Sequence, residues 1–150
     1  MNLVYDRTAQ DVETARTQRG KVLTPFKGCY NASDMNRVAA AVTEIAAELN
    51  SAGYAVTVNP RTYAETDIIR RSDFAAYLAN VQTLRDAYYT LAETGELPAP
   101  EDKLKYTGAN TIEKVLADID LLLDGMKSIY RRAGTFSAGG NYVRQMIRSI

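Results

Sequence analysis

Apolar side chains recur at three- and four-residue steps along three stretches of the chain, and each stretch predicts a helix with one buried face. In the first, Met35, Val38, Ala39, Val42, Ile45, Ala46 and Leu49 share a stripe. A helix over 33–50 is therefore expected, started by Asn31 or Ser33 and stopped by Asn50-Ser51-Ala52-Gly53. The second stripe, Phe74, Tyr77, Leu78, Val81, Leu84, Tyr88 and Leu91, predicts a helix over 72–92 capped by Ser72 or Asp73. The third is the clearest signal. Ile112, Val115, Leu116, Ile119, Leu122, Leu123, Met126, Ile129 and Tyr130 predict a helix over 107–132, with Gly134 ending it. Gly125 interrupts this helix at a cost of ~1 kcal/mol relative to alanine and is expected to mark the close approach of another helix or chain. The predicted core is Val38, Val42, Ile45, Leu49, Leu78, Val81, Leu84, Ile112, Leu116, Ile119, Leu123 and Met126.

The segments between the stripes are weaker in pattern. Thr8, with Asp11 three residues later, caps a short peripheral helix that Gly20 is placed to stop, and residues 21–30 read as an irregular connection around Pro25 and Gly28. Tyr54-Ala55-Val56-Thr57-Val58, closed by Pro60, has the composition of a brief strand, and with the region of Thr135-Phe136-Ser137 as its only candidate partner, either a small strand pair or an extended segment docked on the helices is expected. The expected fold is mainly α: a small helical bundle of three principal helices, a short N-terminal helix and a minor β segment. Residues 1–134 form the helical domain and 135–150 a C-terminal extended arm. The arm passes through Gly139-Gly140 and ends in a stretch too apolar for a free tail and too short for its own core. The expectation is that residues 141–150 dock onto a neighbouring subunit, with Tyr142, Met146, Ile147 and Ile150 as anchors and Arg144 and Arg148 pairing with acidic groups. Folding back onto the chain's own helices is the alternative.

Size and charge narrow the functional classes. The 150 residues suit one domain. Lys+Arg and Asp+Glu both number 18, whereas a duplex-binding domain needs a basic excess, so no nucleic acid partner is expected. The arginine pairs Arg70-Arg71 and Arg131-Arg132 read as solvated helix ends. With Cys29 as the only cysteine, the chain must hold together by packing alone. No signal peptide and no membrane span are expected.

Chemistry finds little to stand on. Histidine is absent, which removes the commonest general base and metal ligand. Cys29 then reads as a small buried hydrophobe. Asp118, Asp120 and Asp124 do not converge, lack the glycine of a calcium loop, and are expected to face solvent. No glycine-rich phosphate loop occurs, and Asn31-Ala32-Ser33 reads as a helix cap rather than a glycosylation site. The ten tyrosines suit either an interface or a core with hydroxyls reaching the surface. No cofactor, metal or catalytic residue is expected, and the chain reads as a protein that binds other proteins.

Five blocks carry a family resemblance: Tyr5-Asp6-Arg7-Thr8-Ala9-Gln10-Asp11-Val12, Gly28-Cys29-Tyr30-Asn31-Ala32-Ser33-Asp34-Met35-Asn36-Arg37-Val38, Tyr77-Leu78-Ala79-Asn80-Val81, Tyr106-Thr107-Gly108-Ala109-Asn110-Thr111-Ile112-Glu113 and Gly134-Thr135-Phe136-Ser137-Ala138-Gly139. In this order they resemble tail- or baseplate-associated structural proteins of phages and prophages of Gram-positive gut bacteria. The resemblance implies a non-catalytic virion protein, made in the host cytoplasm without a signal peptide, acting in an oligomeric assembly with other tail proteins. The competing readings are a bacterial adaptor or regulatory bundle and a carboxylate-dependent glycan hydrolase of a tail tip.

Overall fold

In the computed structural model, residues 1–18 and 26–135 are described, with side chains as far as residue 130. They form four helices, α1 (Ala9–Gln18), α2 (Ala32–Ser51), α3 (Arg71–Ala87) and α4 (Tyr106–Thr135). The mainly α expectation holds for this region. α2 begins at Asn31, whose side chain accepts from the Ser33 and Asp34 amides while Asp34 accepts from the Asn31 amide, so two otherwise orphaned donors are satisfied reciprocally. It ends in a Schellman turn: the Tyr54 amide donates to Leu49 O at 2.9 Å and the Gly53 amide to Asn50 O at 3.1 Å. That turn needs a left-handed residue, and Gly53 supplies it at φ +94°. Thr8 and Asp11 form the expected capping pair of α1.

Several boundaries differ. The cap of α3 is Arg70, two or three residues earlier than expected, because Asp73 serves as the inward-reaching acid that accepts from the Arg70 amide. α3 stops at Ala87 rather than 92, as Tyr88 takes an extended backbone. α4 runs through Gly134 to Thr135. No described atom lies within 4 Å of a Cβ built at Gly125, so no helix among the described residues comes close there.

The three long helices run in one direction. Arg37 of α2 meets Glu113 of α4, and Glu48 of α2 meets Lys127 of α4, a shared step along both helices. α3 follows the same sense: Tyr77 lies by Tyr30 and Tyr63, whereas Tyr88 at the other end lies by Tyr54 and Met126. Parallel neighbours require a return path, and residues 54–63 provide it. α2 has 20 residues and is about 30 Å long at 1.5 Å per residue. Residues 54–63, extended at ~3.3 Å each, cover about the same length.

No strand forms among the described residues, and of the two expectations for residues 54–58 it is the extended segment docked on the helices that the structure shows. The return segment is extended, but its hydrogen bonds come from asparagine side chains on the helices. Asn50 accepts from Val56 N–H at 3.0 Å and donates to Val56 O at 2.9 Å. Asn80 holds Asn59 in the same way (2.8 and 3.2 Å), and Asn36 holds Tyr63 (2.7 and 2.8 Å). Each amide presents one donor and one acceptor, the set a neighbouring strand would offer.

The core lies between α2, α3 and α4. All the expected core residues are buried except Met126, which is half-buried, and Met35, Ala41, Val56, Tyr63, Tyr77 and Val115 join them. Gly28 packs so closely on α1 that a side chain there would meet Asp11 O at 2.1 Å.

Candidate functional site

Arg7, Asp34 and Glu113 are the charged groups around which the N-terminal end of the bundle is built. Arg7 precedes α1 in an extended segment fixed by a fourth asparagine: Arg7 N–H donates to Asn110 Oδ1 at 3.0 Å and Asn110 Nδ2 to Arg7 O at 2.8 Å. Its guanidinium lies buried, with Nη2 at 3.0 Å from Asp34 Oδ1 and 2.8 Å from Glu113 Oε1. Arg37 completes the set, its Nη2 at 2.6 Å from Asp34 Oδ1 and 2.8 Å from Glu113 Oε1. Two cations thus balance two carboxylates, as groups this far from water require. The hydrogen bond to Glu113 raises the Arg37 pKa against the opposing effect of burial.

Further polar contacts close the cluster. Val4 N–H donates to Glu113 Oε2 at 2.6 Å and Arg7 Nε to Lys27 O at 3.1 Å. The Tyr30 ring stacks on Arg7, 5.3 Å from its centroid, and the Tyr30 hydroxyl pairs with that of Tyr77. Burial pushes both hydroxyls above the ordinary tyrosine range. The arrangement ties the N-terminal segment, α2 and α4 into one unit, and its donors are directed at protein acceptors.

Asp118 corrects an expectation. It is buried rather than solvent-facing, because it accepts from Thr94 Oγ1 and pairs with Lys114, anchoring the 88–105 connection to the middle of α4. Asp124 is exposed as expected and Asp120 is intermediate. The three carboxylates remain apart in role. Cys29 is half-buried rather than enclosed. No group of three or more potential metal-ligating side chains occurs among the described residues, and no described helix is long and apolar enough to cross a membrane.

The exposed surface is more suggestive. Ile68 is 87% exposed, displayed beside a turn that Arg61 clamps to Asp67 and Asp73 at 3.1 Å each. Tyr89 (76%) and Leu121 (62%) lie elsewhere on the bundle. At the C-terminal end, Tyr54 and Tyr88 meet edge to face at 5.2 Å beside a cleft of ≈ 470 Å³ bordered by Met126 and Tyr130. The residues singled out in the sequence for partner binding, Tyr142, Arg144, Met146, Ile147, Arg148 and Ile150, lie outside the described residues, as do Gly20 and the proposed strand partner at Phe136-Ser137.

The buried charges escaped the sequence reading because apolar periodicity reports apolar residues only. A usable signal existed: Asn36, Asn50, Asn80 and Asn110 all sit on helices, where asparagine is unfavourable unless its amide has other work. No protein family, characterised protein or solved structure matches the chain.

Proposed function

We propose that the chain is a structural, non-catalytic protein of a phage tail or baseplate, acting through protein–protein contacts with other tail proteins and with copies of itself. The observation that carries this reading is the exposure of Ile68, Tyr89 and Leu121 on a framework pinned by ion pairs and asparagine clamps. An exposed isoleucine costs solubility, and holding it rigid lowers the entropy lost when a partner covers it. The buried ionisable groups support the same reading, since Arg7, Asp34, Glu113 and Asp118 are engaged in joining segments. The five sequence blocks between Tyr5 and Gly139 that resemble phage tail proteins supply the setting.

Incorporation into particles tests this. Ile68→Asp and Tyr89→Asp should leave the melting temperature of the purified protein within about 2 °C of the parent, because surface substitutions change stability little. Both should reduce recovery of the protein with purified particles at least tenfold. Full incorporation of both variants, or turnover of cell-wall glycan that vanishes on replacing one carboxylate, would overturn the proposal.

A further inference from the structure

Among the described residues three methionines meet three different surroundings. Met35 is enclosed in the core at 5% exposure, and Met1 is the terminal residue. Met126 is half-buried, because the core face of α4 runs on to the level where α3 has already ended at Ala87. There it borders the cleft of ≈ 470 Å³ together with Tyr54, Leu123 and Tyr130. A small solute in water therefore has a route to the Met126 thioether and none to that of Met35.

Tyr88 controls one side of the Met126 sulfur. Its hydroxyl donates to Sδ at 3.8 Å, a weak bond because a thioether is a poor acceptor. Two further contacts hold the tyrosine in place: its amide donates to Leu84 O at 3.1 Å, and its ring meets Tyr54 edge to face at 5.2 Å. The donor thus approaches the sulfur from one fixed direction. Of the two lone pairs of the thioether, one is turned to the hydroxyl and the other is left to react.

We propose that Met126 is a site of reversible oxidation by hydroperoxides, and that Tyr88 restricts the product to one of the two sulfoxide epimers. The free lone pair attacks one peroxide oxygen, and an S–O bond forms as the O–O bond breaks. The departing oxygen takes up the proton of the transferred one and leaves as water, or as an alcohol from an organic peroxide. Sulfur loses two electrons and the peroxide gains them. The product sets a polar S–O group beside Leu123 and Tyr54, turning a flexible apolar side chain into a chiral polar one. Each epimer is reduced by its own methionine sulfoxide reductase, so the change is erasable.

Treatment of the full-length protein with hydrogen peroxide, followed by mass mapping of its peptides, tests this. Met126 should gain one oxygen at least about tenfold faster than Met35, whose sulfur is reached only when the core opens. In the recovered Met126 peptide, the reductase specific for one epimer should remove most of that oxygen and its counterpart little. Tyr88→Phe keeps the ring and removes the donor, so it should yield both epimers. Continued protection of Met35 in the same sample reports that the variant is folded. Oxidation of Met126 no faster than that of Met35 would overturn the inference, as would equal amounts of the two epimers in the parent. A single epimer persisting in Tyr88→Phe would overturn the role given to the hydroxyl.

Discussion

Tyr30 and Tyr77 show how strongly one pair of side chains is bound to the folded state. Their hydroxyls face each other beside the Arg7, Asp34 and Glu113 charges, and burial holds both pKa values above the ordinary tyrosine range. In the unfolded chain these groups lose protons near pH ~10. The folded state keeps them, so above that pH the unfolded state binds fewer protons and stability falls. The contribution is fully present below pH ~10 and is lost as pH rises toward the raised folded values. Urea titrations across pH 8 to about 11.5 should show this decline, with a shallower slope for Tyr77→Phe. Equal slopes for parent and variant would mean that other groups cause the alkaline loss. None of this was legible in sequence, where Tyr30 reads as part of a connection and Tyr77 as one member of an apolar stripe.

At the scale of elements, the extended return segment shows where composition and hydrogen bonding part company. Val56, Thr57 and Val58 favour an extended backbone, and extended it is, but propensity does not say who supplies the ladder. Asn50, Asn80 and Asn36 supply it, one at each level from the end of α2 down to its start. The three long helices were readable because period 3.6 survives any tertiary arrangement, whereas the clamps depend on which asparagine reaches which backbone. Asn50→Ala should cost about 1–3 kcal/mol by leaving the part-buried Val56 amide and carbonyl without partners. Native-state hydrogen exchange is the more specific measurement: Val56 N–H should lose protection by at least about tenfold while Tyr63 N–H, held by Asn36, changes much less. Equal loss at both amides would show that the segment opens as one piece rather than clamp by clamp.

For the molecule as a whole, a parallel arrangement of α2, α3 and α4 brings three helix starts to one end, where their dipoles add. Asp34 and Asp73 lie in the first turns of α2 and α3, where negative charge is favoured, and Asp34 is shared with the buried arginines. Helix count and core face could be read from the stripes, but direction could not, since a stripe looks the same in either sense. The N-terminal segment was the larger omission. Lying outside every apolar stripe, it carries no pattern to read, yet Arg7 neutralises Glu113 and Asp34 in the interior and Val4 donates to the same glutamate. Removing residues 2–8 would leave Arg37 alone against two carboxylates, and loss of one partner from a buried ionic cluster costs about 3–5 kcal/mol. The deletion should therefore lower the unfolding free energy by that amount in urea. Arg7→Met in the full chain should account for most of it, because the backbone clamp to Asn110 survives the substitution. A deletion cost below about 1 kcal/mol, the scale of a surface ion pair, would mean that the cluster is open to water and the segment is peripheral after all.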